Sequence, residues 1–210
     1  MKALPKPFTS LVLLSGMALA PASQATLYTR LGGLAVYDDD RNITWLADAN
    51  YAKTSGYDTD GAMTWQVAKG WVAGLNVGGY TGWRLPTALN ENGSGPCLDY
   101  NCGSSELSHL FYELGGVFFQ SILTTHNSNF NLFTNVQDSN FWTGKEYMIT
   151  DEAYFIPKLW LPVLPTFKYE GLYSWAVRSG DVAAVPEPGV MGLLGIGALA
   201  WAGARHKRRG

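Results

Sequence analysis

The chain has 210 residues, 47% hydrophobic, 13% aromatic and 15% charged, with two cysteines and a formal charge of −2 at pH 7. That composition excludes a disordered chain, a coiled coil and a collagen-like repeat, and two cysteines exclude a disulfide-dense scaffold or a four-cysteine zinc site. The near-neutral total excludes a generally basic nucleic-acid binder. The first element is an address rather than a fold. Lys2 and Lys6 precede an apolar run of 13 residues from Phe8 to Ala20, followed by small residues. This pattern predicts a secretory signal peptide over 1–25, cut after Ala25, with Ser23 and Ala25 supplying the small side chains. Ala18-Leu19-Ala20 is the other cleavage candidate, but Pro21 follows it. The apolar run is short of the roughly 20 residues that a spanning helix needs.

Residues 26–185 read as one domain. Seven of the eight tryptophans lie there, enough large apolar surface for one sizeable core. Leu34–Tyr37 and Ile43–Leu46 are β-prone runs around a polar loop, Asp38 to Asn42, and predict a hairpin. Met63, Val67 and Trp71, widened by Ala68, Val72 and Leu75, predict a helix over 62–75 with Asp60 as N-cap. Trp83–Leu85 reads as a short extended piece halted by Pro86. Leu107, Leu110, Phe111 and Leu114 predict a second helix over 105–114, ended by Gly115-Gly116. Strands are expected at Phe130–Val136, Asn140–Glu146, Ala153–Ile156 and Tyr173–Arg178. Two early helices and several late strands predict an α+β domain with a mainly antiparallel sheet.

The end of the chain has three parts. Val185-Pro186-Glu187-Pro188 is stiff and non-helical. Gly189–Ala204 is a 16-residue uncharged run, about 24 Å long as a helix, short of the roughly 30 Å hydrocarbon thickness. Arg205, Lys207, Arg208 and Arg209 form a basic stop, which places the preceding domain outside. In this order the three parts resemble the PEP-CTERM sorting signal of Gram-negative-type bacteria. The resemblance assigns 186–210 to sorting, with Pro186, Glu187 and Pro188 as the signal and 189–204 as a short transmembrane helix. It implies processing by an exosortase and delivery to the cell surface or extracellular matrix. A plain C-terminal anchor would have nearly the same topology and differs in keeping the tail. Of the 15 basic residues six lie in the two ends, with Glu187 the one acid there, so residues 26–185 carry nine basic and 16 acidic residues, net −7. An acidic domain of this kind repels nucleic acid and anionic lipid and suits neutral glycans, cations or basic partners.

Several blocks in the middle recur in a recognisable order: Val36-Tyr37-Asp38-Asp39-Asp40, Ile43-Thr44-Trp45-Leu46, Met63-Thr64-Trp65, Gly82-Trp83-Arg84-Leu85-Pro86-Thr87, Ser105-Glu106-Leu107, Phe141-Trp142-Thr143-Gly144 and Trp175-Ala176-Val177-Arg178-Ser179-Gly180-Asp181. Together they resemble the Lcl C-terminal domain family over nearly all of 34–182. The resemblance implies a C-type-lectin-like fold, distantly similar to the formylglycine-generating enzyme, with surface exposure and, in the family's best-known member, binding to sulfated glycans. It implies no established catalytic residue.

The residues permit several sites. Trp83, Arg84, Leu85 and Pro86 read as a structural motif, with Arg84 fixed by a carboxylate or by backbone carbonyls. Cys97 and Cys102 read as a disulfide in an exported chain; a copper-binding thiol pair is the alternative. Asp38–Asn42 suggests calcium by its alternating carboxylates, yet lacks the glycine and glutamate of an EF-hand and reads better as a solvated loop. His109 reads as a surface residue on its helix, and neither it nor His126 has metal-ligand spacing. The candidate ligand-binding aromatics are Trp142, Tyr147 and Trp160, with Tyr154 and Tyr169 beside them in the same loop-rich half. No cofactor or metal is expected. The sequence-based conclusion is an exported, non-enzymatic binding or structural module at the cell envelope that recognises polysaccharide, with exosortase as its processing partner. An oxidoreductase of the formylglycine-generating type, or a hydrolase on the same fold, is the alternative. The net charge opposes sulfated glycans unless Lys145, Lys158 and Lys168 form a local basic patch.

Overall fold

A computed structural model describes residues 26–90, 92–98, 104–147, 151–159 and 163–182. Among the described residues two sheets and three α-helices form a mixed α+β architecture. Strands β1 (Leu27–Arg30), β2 (Ala35–Asp38), β3 (Ile43–Leu46) and β9 (Val177–Ser179) make the first sheet in the order β1-β2-β3-β9, all antiparallel. The second has the order β4-β8-β5-β6-β7, built from β4 (Ala62–Met63), β5 (Asn140–Glu146), β6 (Glu152–Pro157), β7 (Leu164–Phe167) and β8 (Leu172–Tyr173). Its β5–β8 contact is parallel and the others are antiparallel. The helices are α1 (Tyr51–Thr54), α2 (Trp65–Gly74) and α3 (Glu106–Glu113).

Strand alternation divides the core into two apolar layers. Successive residues on a strand point to opposite faces, and the pairs Ala35/Val36, Trp45/Leu46, Phe141/Trp142 and Trp175/Ala176 each send one side chain into each layer. One layer packs α3 through Leu107, Leu110 and Phe111 against Trp45, Phe133 and Trp175. The other packs α2 through Trp65, Ala68, Trp71 and Val72 against Met63, Leu85 and Trp142. Both faces of β3 are therefore covered, and all four of its residues are buried. The buried indoles also tie distant segments together. Trp175 Nε1 donates to the Leu46 carbonyl at 2.8 Å, Trp65 Nε1 to Thr143 at 2.9 Å and Trp142 Nε1 to Met63 at 2.7 Å. Each bond satisfies a donor that would otherwise be buried at a cost.

The β2–β3 hairpin and the second helix follow the sequence pattern closely. Several elements depart from it. Helix α2 starts at Trp65 with Thr64 as N-cap, not at Asp60, because Ala62 and Met63 pair with Tyr173 and Leu172 as β4. Asp60 instead accepts from the Ala62 N–H at 2.9 Å. The expected strand at Phe130–Val136 is a 3-10 turn over Ser128–Leu132. The Asn127 side chain caps it by accepting from Asn129 N–H at 2.8 Å, and Thr134 then makes a single bridge to Asp48. The expected continuous strand at Tyr173–Arg178 is split. Its start joins the second sheet as β8 and its end joins the first as β9, so the segment crosses between sheets at Ser174–Ala176. Strands β1 and β7 were not expected at all. Both lie at sheet edges, where half-exposed residues give weak periodicity, and Pro165 in β7 is tolerated because an edge strand leaves one row of N–H groups unpaired.

The segment from Trp83 to Ala88 straps these parts together. Arg84 exchanges backbone hydrogen bonds with Val177 of β9 at 2.7 and 3.0 Å, and the Pro86 carbonyl accepts from Gly144 of β5 at 2.8 Å. Glu106, the first residue of α3, holds the strap from the side. Its carboxylate receives both Arg84 Nη groups at 2.8 and 2.7 Å and the Thr87 N–H at 2.6 Å. Glu106 is only 8% exposed, so the charge is stable there only because three donors replace its water. A second device sets the turn after α1. Asp58 accepts from the N–H groups of Asp60 and Gly61 at 3.0 and 2.7 Å, and Gly61 sits at φ +87 where any Cβ would overlap the Asn50 amide. The Gly61 and Asp60 N–H groups hold the Asp58 carboxyl below its ordinary value of 3.8.

Two outcomes follow from these contacts. Glu106→Ala strips Arg84 and Thr87 of their acceptor and costs about 2–3 kcal/mol in urea unfolding. By contrast Asp181→Ala, at the exposed pair with Arg30, costs at most about 1 kcal/mol; equal losses would refute the special role of Glu106. Asp58 has a depressed folded pKa, so its contribution is full above the unfolded value and is lost as pH falls through the folded one. Asp58→Ala should therefore lower the melting temperature at pH 7, and the gap to the wild type should close below about pH 3.8.

Candidate functional site

The strands and helix termini that hold the second sheet also build its exposed aromatic face. Phe167 ends β7 and Tyr169 lies two residues on, in the turn that follows. Their rings are stacked, with centroids 5.1 Å apart and planes at 8°. Phe167 is 45% and Tyr169 67% exposed. The backbone between them is pinned, because Lys168 N–H donates to the Asp151 carbonyl at 2.8 Å and the Lys168 carbonyl accepts from Trp65 N–H at 2.9 Å. The Lys168 side chain turns the other way. Its ammonium pairs with Glu146 and lies 4.9 Å from the centre of the Trp65 ring. Lys168 also holds the exposed Glu146 carboxyl below its ordinary value. Thr64, Gln66 and Asp151 complete a concavity of about 520 Å³ beside the two rings. An aromatic face next to hydroxyl, amide and carboxylate groups suits a ligand that offers both C–H faces and hydroxyls.

The aromatics singled out from sequence fare differently. Trp142 is fully buried, with its N–H on Met63, so it serves the core and offers no stacking face. Its neighbour in sequence, Phe141, fills the opposite layer, and no solvent-facing position remains on that part of β5. Tyr147 is half-buried and meets Tyr154 edge-on at 5.2 Å. Tyr154 is 5% exposed, and Trp160 lies outside the described residues. Phe167 was not a candidate at all. Its signal was available in the spacing Phe167-x-Tyr169, two large rings at i and i+2 beside a proline-containing edge strand.

The Trp83, Arg84, Leu85 and Pro86 motif is placed in the core strap. Trp83 and Leu85 are 3% exposed, and Trp83 Nε1 donates to the Tyr80 carbonyl at 2.9 Å. Cys97 is disulfide-bonded, while Cys102 lies outside the described residues. The sorting residues Pro186, Glu187 and Pro188, and Ala25, lie outside them too. Of the three lysines weighed as a basic patch, Lys168 is paired with Glu146, Lys158 is exposed after β6, and Lys145 flanks the strap on β5.

His109 is not a surface residue. It is 8% exposed, and its Nε2 stands 3.1 Å from Asp38 Oδ2 and 3.8 Å from Asp40 Oδ2. Asp38 is itself fully buried at the end of β2, so the Asp38–Asn42 loop is only partly solvated. The Nε2–Oδ2 contact is close enough for an ion pair but outside hydrogen-bond geometry. Among the described residues no group of three or more His, Cys, Asp and Glu side chains is arranged to hold a metal ion.

Comparison with known proteins bears on one end of the chain. Residues 184–209 match the PEP-CTERM protein-sorting motif. The match supports an exported protein that an exosortase sorts to the cell envelope or surface. No curated protein matches the chain. Among the described residues no helix is long and apolar enough to cross a membrane; the apolar run at 189–204 lies outside them.

Proposed function

We propose that the mature chain is a non-enzymatic binding module of the cell surface or extracellular matrix that holds neutral polysaccharide on the Phe167–Tyr169 face. The carrying observation is that stacked pair, exposed and pinned from below. The apolar C–H face of a pyranose ring packs on such a platform, and Thr64, Gln66 and Asp151 stand where its hydroxyls would reach. The domain charge of −7 over 26–185 favours an uncharged glycan over a sulfated one. This reading keeps the resemblance to the Lcl C-terminal domain family and its C-type-lectin-like fold as the evolutionary setting. It also takes 1–25 as a signal peptide, 26–185 as the binding domain with a Cys97–Cys102 bond, and 189–204 as a membrane span that persists until the exosortase cuts near Pro186–Pro188.

Two measurements test the proposal. Titration calorimetry with neutral hexasaccharides should find a ligand whose affinity falls about tenfold in Tyr169→Ala and in Phe167→Ala. The melting temperature should not change, since both rings are exposed. Undiminished binding in both variants would place the glycan elsewhere. Intact mass of the native protein, taken without reductant from envelope and medium, should begin at Thr26, lack the residues after about Pro188, and be two hydrogens lighter than the dithiol. A mass that retains Gly189–Gly210 in both fractions would defeat the processing step.

A further inference from the structure

A second concavity lies along the Trp83–Leu89 segment. Helix α2 supplies Lys69, Val72 and Ala73, the strap and the residue after it supply Trp83, Leu85 and Leu89, and β5 supplies Gly144 and Lys145, around about 360 Å³. Its walls are largely aliphatic and indole carbon, with Lys69, Arg84, Thr87 and Lys145 as the polar members. Arg84 also borders it, but its charge is spent on Glu106. Neither Lys69 nor Lys145 is in an ion pair among the described residues. The Lys69 ammonium rests 4.1 Å from the centre of the Trp65 ring, a contact that orders its side chain.

From this pairing of an apolar cavity with two lysines outside any ion pair we infer a binding site for a small amphipathic carboxylate, an aliphatic body inside and its anionic head on Lys69 and Lys145. A neutral apolar ligand would make no use of either ammonium group. A polyanion would meet the net −7 of the domain around it. A compact monoanion escapes both objections, because its head is matched locally and its body is buried. The volume, at roughly 30 Å³ per atom-sized unit, holds about a dozen heavy atoms, the size of a ten-carbon fatty acid. Gly144 is part of the shape. Its φ lies outside the left-handed region, and a Cβ there would make ordinary contact with the Leu85 carbonyl at 3.5 Å. A larger side chain is therefore compatible with the backbone and would occupy the cavity.

Decanoate is the probe, with decan-1-ol as its uncharged counterpart, titrated into the exported domain by calorimetry. Decanoate should bind with a dissociation constant of about 0.1–1 mM, and decan-1-ol about tenfold more weakly. Lys69→Gln and Lys145→Gln should each weaken decanoate about three- to tenfold and leave decan-1-ol unchanged. Gly144→Leu should abolish both while the melting temperature holds. Should Gly144→Leu fail to fold, Ala73→Phe plugs the cavity from the exposed surface of α2. No decanoate binding, equal binding of the alcohol, or full binding in a folded plug variant would each overturn the inference. None of these outcomes depends on the glycan face, since Phe167 and Tyr169 line a different concavity.

Discussion

The buried carboxylate of Glu106 is the constraint around which the domain is organised. A charge at 8% exposure is unfavourable unless donors surround it. Here two guanidinium nitrogens and one backbone N–H do so within 2.8 Å. The consequence reaches well beyond one ion pair. The same strap that carries Arg84 and Thr87 is hydrogen-bonded to β9 in one sheet and to β5 in the other. Fixing it against α3 therefore sets the relation between both sheets and a helix at once. The strap also contributes to both apolar layers, Trp83 and Leu85 to one and Ala88 to the other.

Around that strap the high aromatic content is largely spent on packing. Trp45, Trp65, Trp142 and Trp175 are at most 1% exposed, and three of their four indole N–H groups bond to a carbonyl on a distant segment. Trp45 Nε1 finds no acceptor among the described residues. Its ring meets Trp175 edge-on at 5.6 Å, within a cluster that also holds Phe133 and Phe141. Tryptophan is well suited to this use, since one side chain supplies a large apolar area and one directed hydrogen bond. The exposed rings of Phe167 and Tyr169 lie at the edge of the second sheet, where burial stops.

Charge is distributed unevenly in a way that suits the two concavities. The domain is acidic overall, yet three lysines gather around Trp65 and the neighbouring end of β5. Lys168 is neutralised there by Glu146, while Lys69 and Lys145 carry no ion pair among the described residues. Helix α2 thus separates two surfaces of different chemistry. Its N-terminus supports the aromatic face through the Trp65 N–H, and its later turns wall the apolar cavity. The sorting motif at 184–209 follows directly on β9 and Val182, so the segment that addresses the protein is joined to the first sheet rather than to either concavity.

The sequence by itself determined the α+β class, the sorting motif, the β2–β3 hairpin, the Asn140–Glu146 strand and helix α3. Each of these is written in local terms: a period of two or 3.6, a polar turn, or an ordered series of proline, apolar and basic segments. It also marked Arg84, between a tryptophan and a leucine, as a residue to be fixed by a carboxylate or by backbone carbonyls. Only the tertiary structure decided which carboxylate, because Glu106 is 22 positions away and looks like an ordinary first-turn residue of α3. The same holds for His109, whose neighbours Glu113 and Ser108 suggest solvent while Asp38 waits across the fold. Trp142 and Tyr169 illustrate the remaining limit. Both are large aromatics among polar residues, and their local sequences do not separate them. One is enclosed because β5 is an interior strand with a layer on each side, and the other is free because β7 is an edge. Burial is a property of what packs against a residue, and those partners are supplied by segments far away along the chain.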